Sequence, residues 1–205
     1  MKTTDVYATA VTPRKPAPPA PDNDIEVFIE SFKNYDKLVF AVAVLSKFFK
    51  WLRDKRYVKP GISQNDLNVA EGSLIRYVQR YAFSDTIEQL NLSGRLSGTQ
   101  RLFRLEPFLD DDGTIWVYGL YSRLSAQASA QLLLPKSHPL TELIVRHAHS
   151  KMTLHSTISD DVLNALQTRF YVRRARKLVD WAIRDCHTCK IIRRREDKRR
   201  APRVR

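Results

Sequence analysis

Residues 175–189 read ARKLVDWAIRDCHTC, a helical pattern that runs directly into a pair of cysteines. The apolar residues of this stretch recur at spacings of three and four, which predicts an amphipathic helix over about 175–185. The pair Cys186 and Cys189 begins immediately after the end of that helix. Two thiolates three residues apart can converge on one metal ion, at about 2.3 Å each for zinc. The stretch therefore predicts a helix whose C-terminal end carries half of a tetrahedral zinc site.

Two histidines upstream are the predicted partners of the cysteine pair. All five histidines and both cysteines of the chain lie within residues 138–189, as expected for a metal site. His155 lies six positions after His149, which corresponds to a rotation of about 240° on a helix, so both cannot point from one helical face. We expect His149 near a helix end and His155 in the loop that follows. His147 is the alternative first ligand; otherwise it packs against the core.

Other interpretations of these residue types are less favoured. A thioredoxin-like redox pair would require a preceding βαβ pattern, which the sequence lacks. An incidental pair of thiols is the plainest alternative. We expect His138 to serve as a helix-entry residue, and we expect His187, between the cysteines, to face solvent. The run Asp110-Asp111-Asp112 before Gly113 predicts a charged hairpin turn rather than a carboxylate metal site.

The chain is strongly basic, and nearly all of the excess charge lies at its C-terminal end. It contains 35 Lys+Arg and 22 Asp+Glu, a formal net charge of +13. Residues 169–205 alone contain 15 Lys+Arg and 4 Asp+Glu, a net charge of +11. Such a field favours polyanions, so nucleic acid is the expected partner, although a solvated arginine-rich surface or a localisation signal is the simpler alternative. The predicted contacts are Arg173, Arg174, Arg176, Lys177, Arg193, Arg194, Arg195, Lys198, Arg199 and Arg200.

The remaining segments predict an α+β protein that is mainly helical. One or two amphipathic helices are expected between residues 25 and 57, where the apolar stripes form core or the surface for a partner helix. Ser63 and Asp66 predict the capped start of another helix, which a short piece at 85–90 extends. A strand, turn and strand are expected over 103–118, with a third strand at 131–134. Further helices are predicted from Pro139, over 158–170 and over 175–185.

These patterns divide the chain into four predicted segments. The first is a disordered, proline-rich tail, and the second is a connecting unit of helices and a short β-hairpin. The third is a small three-helix domain held together by zinc, and the fourth is a basic tail that stays disordered until it meets an anion. The boundaries are 1–24, 25–135, 138–192 and 193–205.

Several classes of protein are disfavoured. Two cysteines are too few for a disulfide-rich secreted scaffold. The most apolar run, Leu38 to Leu45, is only eight residues and cannot span a bilayer. No apolar segment of a signal peptide precedes it, so we expect an intracellular, nuclear protein without a membrane partner.

The zinc-ligand region resembles the His2Cys2 zinc-binding domain of retrotransposon integrases, most closely that of the BEL/Pao group of LTR retrotransposons. A segment upstream resembles the part of those polyproteins that precedes integrase. Family members usually place glycines after the second histidine, where this chain has Ser156-Thr157. The residues that carry the resemblance are 138–149, Leu154-His155, 163–176 and the Cys186/Cys189 pair, with 70–71, 79–83 and 102–113 upstream.

The resemblance implies an integrase-derived module that takes Zn²⁺ as its cofactor. It also implies binding to nucleic acid, including DNA at retroelement ends, and self-association of the domain. The three acidic residues of an integrase catalytic core would follow this region and are absent, so no catalytic residues and no enzymatic activity are expected. The alternative function is a domesticated or fragmentary protein–protein interaction module with no role in DNA binding.

Overall fold

The computed structural model describes residues 22–55, 61–98, 102–118, 130–152 and 158–200, apart from the side chains at 196–198 and 200. These ranges form eight α-helices and four short strands, which confirms the α+β, mainly helical class. The helices are α1 (Asn23–Glu30), α2 (Tyr35–Asp54), α3 (Gln64–Ala82), α4 (Ser84–Ser93), α5 (Pro139–Lys151), α6 (Ser159–Gln167), α7 (Ala175–Asp185) and α8 (His187–Arg200). The strands are β1 (Pro107–Leu109), β2 (Ile115–Val117), β3 (Gln131–Leu134) and β4 (Phe170–Val172).

Local capping signals set the starts of the two helices that the sequence marked most clearly. At α3, the Ser63 side chain accepts from the backbone N–H of Asp66, whose carboxylate accepts from the Ser63 N–H. This reciprocal pair is the predicted capping box. At α5, Pro139 takes the first turn and Nδ1 of His138 accepts from the Leu140 N–H at 3.0 Å. The predicted role of His138 in helix entry is confirmed.

The four strands form one sheet in the order β1-β2-β3-β4. The β1–β2 and β2–β3 pairs are antiparallel, whereas β3 and β4 are parallel and pair Leu132 with Phe170. Asp110 closes the hairpin because its carboxylate accepts from the backbone of Asp112 and Thr114 and from the Trp116 indole. The predicted charged hairpin turn is therefore confirmed.

Strand β3 separates two apolar clusters, because successive side chains of a strand point to opposite faces. Leu132 and Leu134 belong to the larger cluster, which also includes buried residues of α1, α2, α3, α5, α6 and α7. Leu133 faces a smaller cluster with Leu105, Ile115 and Val117. The larger cluster thus contains residues from both sides of the predicted domain boundary at 135–138.

Several boundaries differ from the sequence prediction. The basic segment 193–200 was expected to be disordered but continues α8, since arginine and lysine are good helix formers and need no burial in an exposed helix. Phe170 lies in β4 rather than in the preceding helix, because a parallel partner strand is available. Residues 103–105 form a short 3-10 helix before β1 rather than a strand. Residues 23–24 begin α1, whereas the rest of the predicted tail up to residue 21 lies outside the described residues.

Within the described ranges, no helix combines the length and the apolar character needed to cross a membrane.

Candidate metal centre

The two cysteines lie at the junction between α7 and α8. Cys186 ends α7 in an extended conformation, and its N–H donates to the Ala182 carbonyl at 3.0 Å. The chain then turns directly into α8, where the Lys190 N–H donates to the Cys186 carbonyl at 3.0 Å. Cys189 therefore occupies the first turn of α8, and its side chain is fully buried. The backbone turn brings both thiols to the same side, as the C-x-x-C spacing predicts.

His149 reaches this junction from the last turn of α5. Its side chain is buried, and Nε2 lies 3.2 Å from the Sγ of Cys189. The ligand atoms of His149, Cys186 and Cys189 all lie within 4.8 Å of one another. In a tetrahedral zinc site, the ligand atoms would be about 3.6–3.8 Å apart for the usual bond lengths. The three residues are thus positioned to hold a metal ion.

The chemistry of the donors narrows the kinds of metal that would fit. Two sulfur atoms and one imidazole nitrogen favour borderline or soft ions such as zinc over the oxygen-preferring ions magnesium and calcium. Burial and the neighbouring Cys186 thiol raise the pKa of Cys189 to about 11, against a smaller opposing effect of Arg193.

His147, the alternative first ligand, points toward α2 rather than toward the cysteines. Its ring centroid is 5.1 Å from that of Tyr35, and its Nδ1 lies 3.6 Å from Oδ2 of Asp36. Burial lowers the pKa of His147, and the Asp36 carboxylate partly offsets this effect. Two residues along a helix correspond to a rotation of about 200°, so His147 and His149 face nearly opposite directions.

The other histidines are accounted for as follows. His187, between the cysteines, is exposed, as expected. His138 caps α5 and lies 3.2 Å from the Glu26 carboxylate. His155, the predicted fourth ligand, falls in residues 153–157, which lie outside the described part of the chain.

Sequence reasoning missed the polar contacts that join α5 to α7 beside this centre. Arg146 pairs with Asp185 at 2.9 Å, and its guanidinium stacks on the Trp181 ring, 4.4 Å from the ring centroid. Asp185 also lies 3.5 Å from the ammonium group of Lys190. Arg146 lies one helical turn before His149, and Asp185 immediately precedes Cys186. The only signal in the sequence was this adjacency to the candidate ligands.

The predicted nucleic-acid contacts fall on two neighbouring parts of the structure. Arg173 and Arg174 lie exposed just before α7, and within its first turn Arg176 pairs with Asp160. Lys177 is also exposed. The remaining predicted contacts lie on α8, which begins at the candidate metal centre. Arg193, Arg194, Arg195 and Arg199 are exposed, whereas the side chains of Lys198 and Arg200 fall outside the described part of the chain.

No protein-family model, curated protein or solved structure gives a significant match to this chain.

Proposed function

We propose that this chain is a zinc-binding module of the retrotransposon integrase type, which binds nucleic acid. The observation that carries the proposal is the convergence of His149, Cys186 and Cys189 at the start of an arginine-rich helix. The resemblance of residues 138–189 to integrase zinc domains is the basis for the proposed family. The basic charge of α7 and α8 is the basis for the proposed partner, nucleic acid.

In this proposal, His149, His155, Cys186 and Cys189 would hold Zn²⁺. Four protein ligands fill a tetrahedral site and leave no position for a reactive water, so the metal would be structural. His149 lies on α5, and Cys186 and Cys189 join α7 to α8. Binding would therefore fasten the ends of three helices together and fix the direction in which α8 leaves the body of the protein.

The basic helix would then act as a phosphate-binding element. Arg193 lies one helical turn after Cys189, so the exposed guanidinium groups of residues 193–195 begin about 6 Å beyond the metal centre. Arginines held on a fixed helix can neutralise successive phosphates of a duplex. Such binding tolerates many sequences and weakens steeply with salt. Nuclear localisation follows as part of the same proposal, because DNA is the expected partner.

Elemental analysis of the purified, reduced protein tests the metal site. We expect about one zinc per chain, and we expect its loss in the Cys186→Ser and His155→Ala variants, because each removes one of four ligands. His147→Ala is the matched control and should retain zinc, since that ring faces Asp36. Folded wild-type protein without zinc would refute the site. Retention of zinc in His149→Ala together with its loss in His147→Ala would show that His147, and not His149, is the ligand.

Titration of a DNA duplex at several salt concentrations tests the partner. Replacing Arg193, Arg194 and Arg195 by alanine should weaken binding. If each arginine contacts one phosphate, the negative slope of log affinity against log salt should become shallower by about 2.7. A triple alanine variant of Arg95, Arg104 and Lys136 is the control, because these exposed cations lie elsewhere on the chain. Equal losses in both variants would show only a general effect of charge.

A protein–protein interaction module without DNA binding is the second candidate function. It is favoured by an exposed apolar face on α2, which includes Phe48 and Trp51. Partner binding that is insensitive to salt and to loss of the α8 arginines would support this function over the first.

A further inference from the structure

A small polar cluster beside the candidate metal centre joins the same three helices that carry its ligands. Asp185, the last residue of α7, has one cationic partner for each of its carboxylate oxygens. Its Oδ2 lies 2.9 Å from Nη2 of Arg146 on α5, and its Oδ1 lies 3.5 Å from Nζ of Lys190 on α8. The Arg146 guanidinium also lies over the Trp181 ring of α7, 4.4 Å from the ring centroid. We call these four residues the clamp.

The three charged members of the clamp are each close in sequence to one candidate ligand. Arg146 lies three residues before the histidine ligand, so the two side chains project from the same side of α5. Asp185 immediately precedes the first cysteine, and Lys190 immediately follows the second. Contacts within the clamp therefore restrain the backbone at all three candidate ligands.

Helix α8 has the fewest other contacts of this kind with the body of the protein. Helices α5 and α7 both bury apolar side chains in the larger cluster, among them Ile144 and Val179. Among the described side chains of α8, only that of Cys189 is fully buried. Lys190 ties the first turn of α8 to Asp185, and Asp185 ties the junction of α7 and α8 to α5.

We infer that Arg146, Asp185 and Lys190 are positioning residues for the proposed metal site. They would act through the backbone, by keeping the imidazole and the two thiols convergent. A metal ion binds in proportion to the fraction of folded chains whose ligands are already in place. Loss of the clamp would lower that fraction and weaken binding without removing a ligand. The inference rests on the proposed zinc site and adds residues that the ligand pattern does not identify.

Competition for zinc against a chromophoric chelator, with the full purified chain, tests the inference. The side chains of the two ion pairs are 44–47% exposed, and such contacts are individually weak. We therefore expect Arg146→Ala to weaken zinc binding by about threefold to tenfold. Asp185→Asn keeps the shape of the side chain and should weaken binding at least as much, because it removes both ion pairs. Both variants should still bind about one zinc per chain at saturation.

Arg169→Ala is the matched control, because Arg169 makes the same kinds of contact in another part of the chain. Its guanidinium pairs with Glu71 at 2.8 Å and lies 5.1 Å from the centroid of the Phe170 ring. A contact that only stabilises the fold changes the free energy of unfolding equally with and without zinc, and it leaves the zinc affinity of the folded chain unchanged. The control should therefore bind zinc as tightly as the wild type, even where its melting temperature falls.

The absorption spectrum of bound Co²⁺ separates positioning from ligation. At saturating cobalt, Arg146→Ala should give the spectrum of the wild type, because the same ligands surround the ion. Cys186→Ser should instead lose absorption that arises from a thiolate bound to cobalt. The double variant Arg146→Ala/Asp185→Asn should bind zinc about as weakly as Asp185→Asn alone, since residues that act as one unit are not additive.

Three results would overturn the inference. Equal zinc affinity in Arg146→Ala, Asp185→Asn and the wild type would leave the metal site in place and remove the positioning role. Equal losses of affinity in Arg146→Ala and Arg169→Ala would reduce the effect to general stability. A folded wild-type chain that binds no zinc would refute the proposed site and this inference together, an outcome distinct from the first.

Discussion

Two junctions of this protein bury polar side chains in opposite ways. At the junction of α3 with the sheet, the fully buried Gln79 donates to the carbonyls of Ile115 and Leu133 at 2.9 and 2.8 Å. Its own amide oxygen accepts from the Ile115 N–H at 2.7 Å. At the junction of α5, α7 and α8, the buried groups are His149 and two thiols, which are all potential metal ligands.

The difference distinguishes a structural polar cluster from a candidate ligand site. The amide of Gln79 carries both donors and an acceptor, so the backbone of two strands can complement it fully. Thiols are weak hydrogen-bonding groups. At the second junction, two thiols and an imidazole from separate elements converge within metal-binding distance. The Gln79 amide is complemented by backbone groups alone, whereas the sulfur and nitrogen atoms of the second cluster also contact one another and could hold a metal ion.

Removal of the proposed zinc ion should have the largest effect on this comparison. Chelation of the zinc-loaded protein should lower its free energy of unfolding by an amount on the order of 10 kcal/mol, because binding to a structural site is coupled to folding. Hydrogen exchange should show protection lost first in α7 and α8, and later around Gln79. Thermal unfolding followed by circular dichroism, with and without chelator, measures the total.

The Cys186→Ser variant is the control for chelation. Its free energy of unfolding should not change when the chelator is added. Identical unfolding of the wild type with and without chelator would remove the distinction between the two junctions.

Disruption of the amide cluster should have a smaller but clear effect. Gln79→Leu removes three hydrogen bonds and leaves the Ile115 N–H and Leu133 carbonyl buried, which should cost about 2–4 kcal/mol. The melting temperature should fall by roughly 5–15 °C, and the zinc content should not change. Thermal unfolding and elemental analysis of the same sample measure both quantities.

Gln64→Leu is the matched control, because Gln64 is exposed on the same helix and bonds only with Asn68 among the described contacts. Equal destabilisation by the two substitutions would contradict the role assigned to the buried amide.

The capping box of α3 should give the smallest effect, visible as a dependence on pH. The Ser63 backbone N–H, the Ser63 hydroxyl and Lys47 lower the pKa of Asp66 to about 2. A depressed folded-state pKa contributes stability above the unfolded value, near 3.9, and that contribution is lost as the pH falls through about 2. Urea unfolding at neutral and at acidic pH should therefore show that the wild type loses stability as the pH falls. The Asp66→Asn variant should lose less stability over the same change in pH. The same loss in both proteins would argue against the cap.

The sequence predicted those features that depend on neighbouring residues. The capping box at Ser63, the role of His138 in helix entry and the Asp110–Gly113 turn each involve residues that are only a few positions apart. The structure has all three. The placement of Cys186 after the end of α7 belongs to the same class, because helical periodicity and the C-x-x-C spacing are both local.

Features that depend on distant contacts could not be predicted in the same way. Nothing in the sequence around Gln79 marks it as buried, since its partners lie 36 and 54 residues away. The outward face of α2 shares its spacing with the buried face, so periodicity alone left core and partner surface as equal alternatives. Phe170, which was predicted to end a helix, lies in β4 instead because β4 pairs with the distant strand β3.

By itself, the sequence determined a mainly helical α+β chain and the position of the cysteine pair, and it left His149 and His147 as alternatives for the first histidine ligand. Tertiary structure set His149 beside Cys189, 40 residues away, and turned His147 toward Asp36. The physical reason is that periodicity fixes the direction of a side chain only relative to its own helix. Which neighbour it meets depends on how α5 packs against α2 on one side and against α7 on the other, and that packing is a property of the whole core.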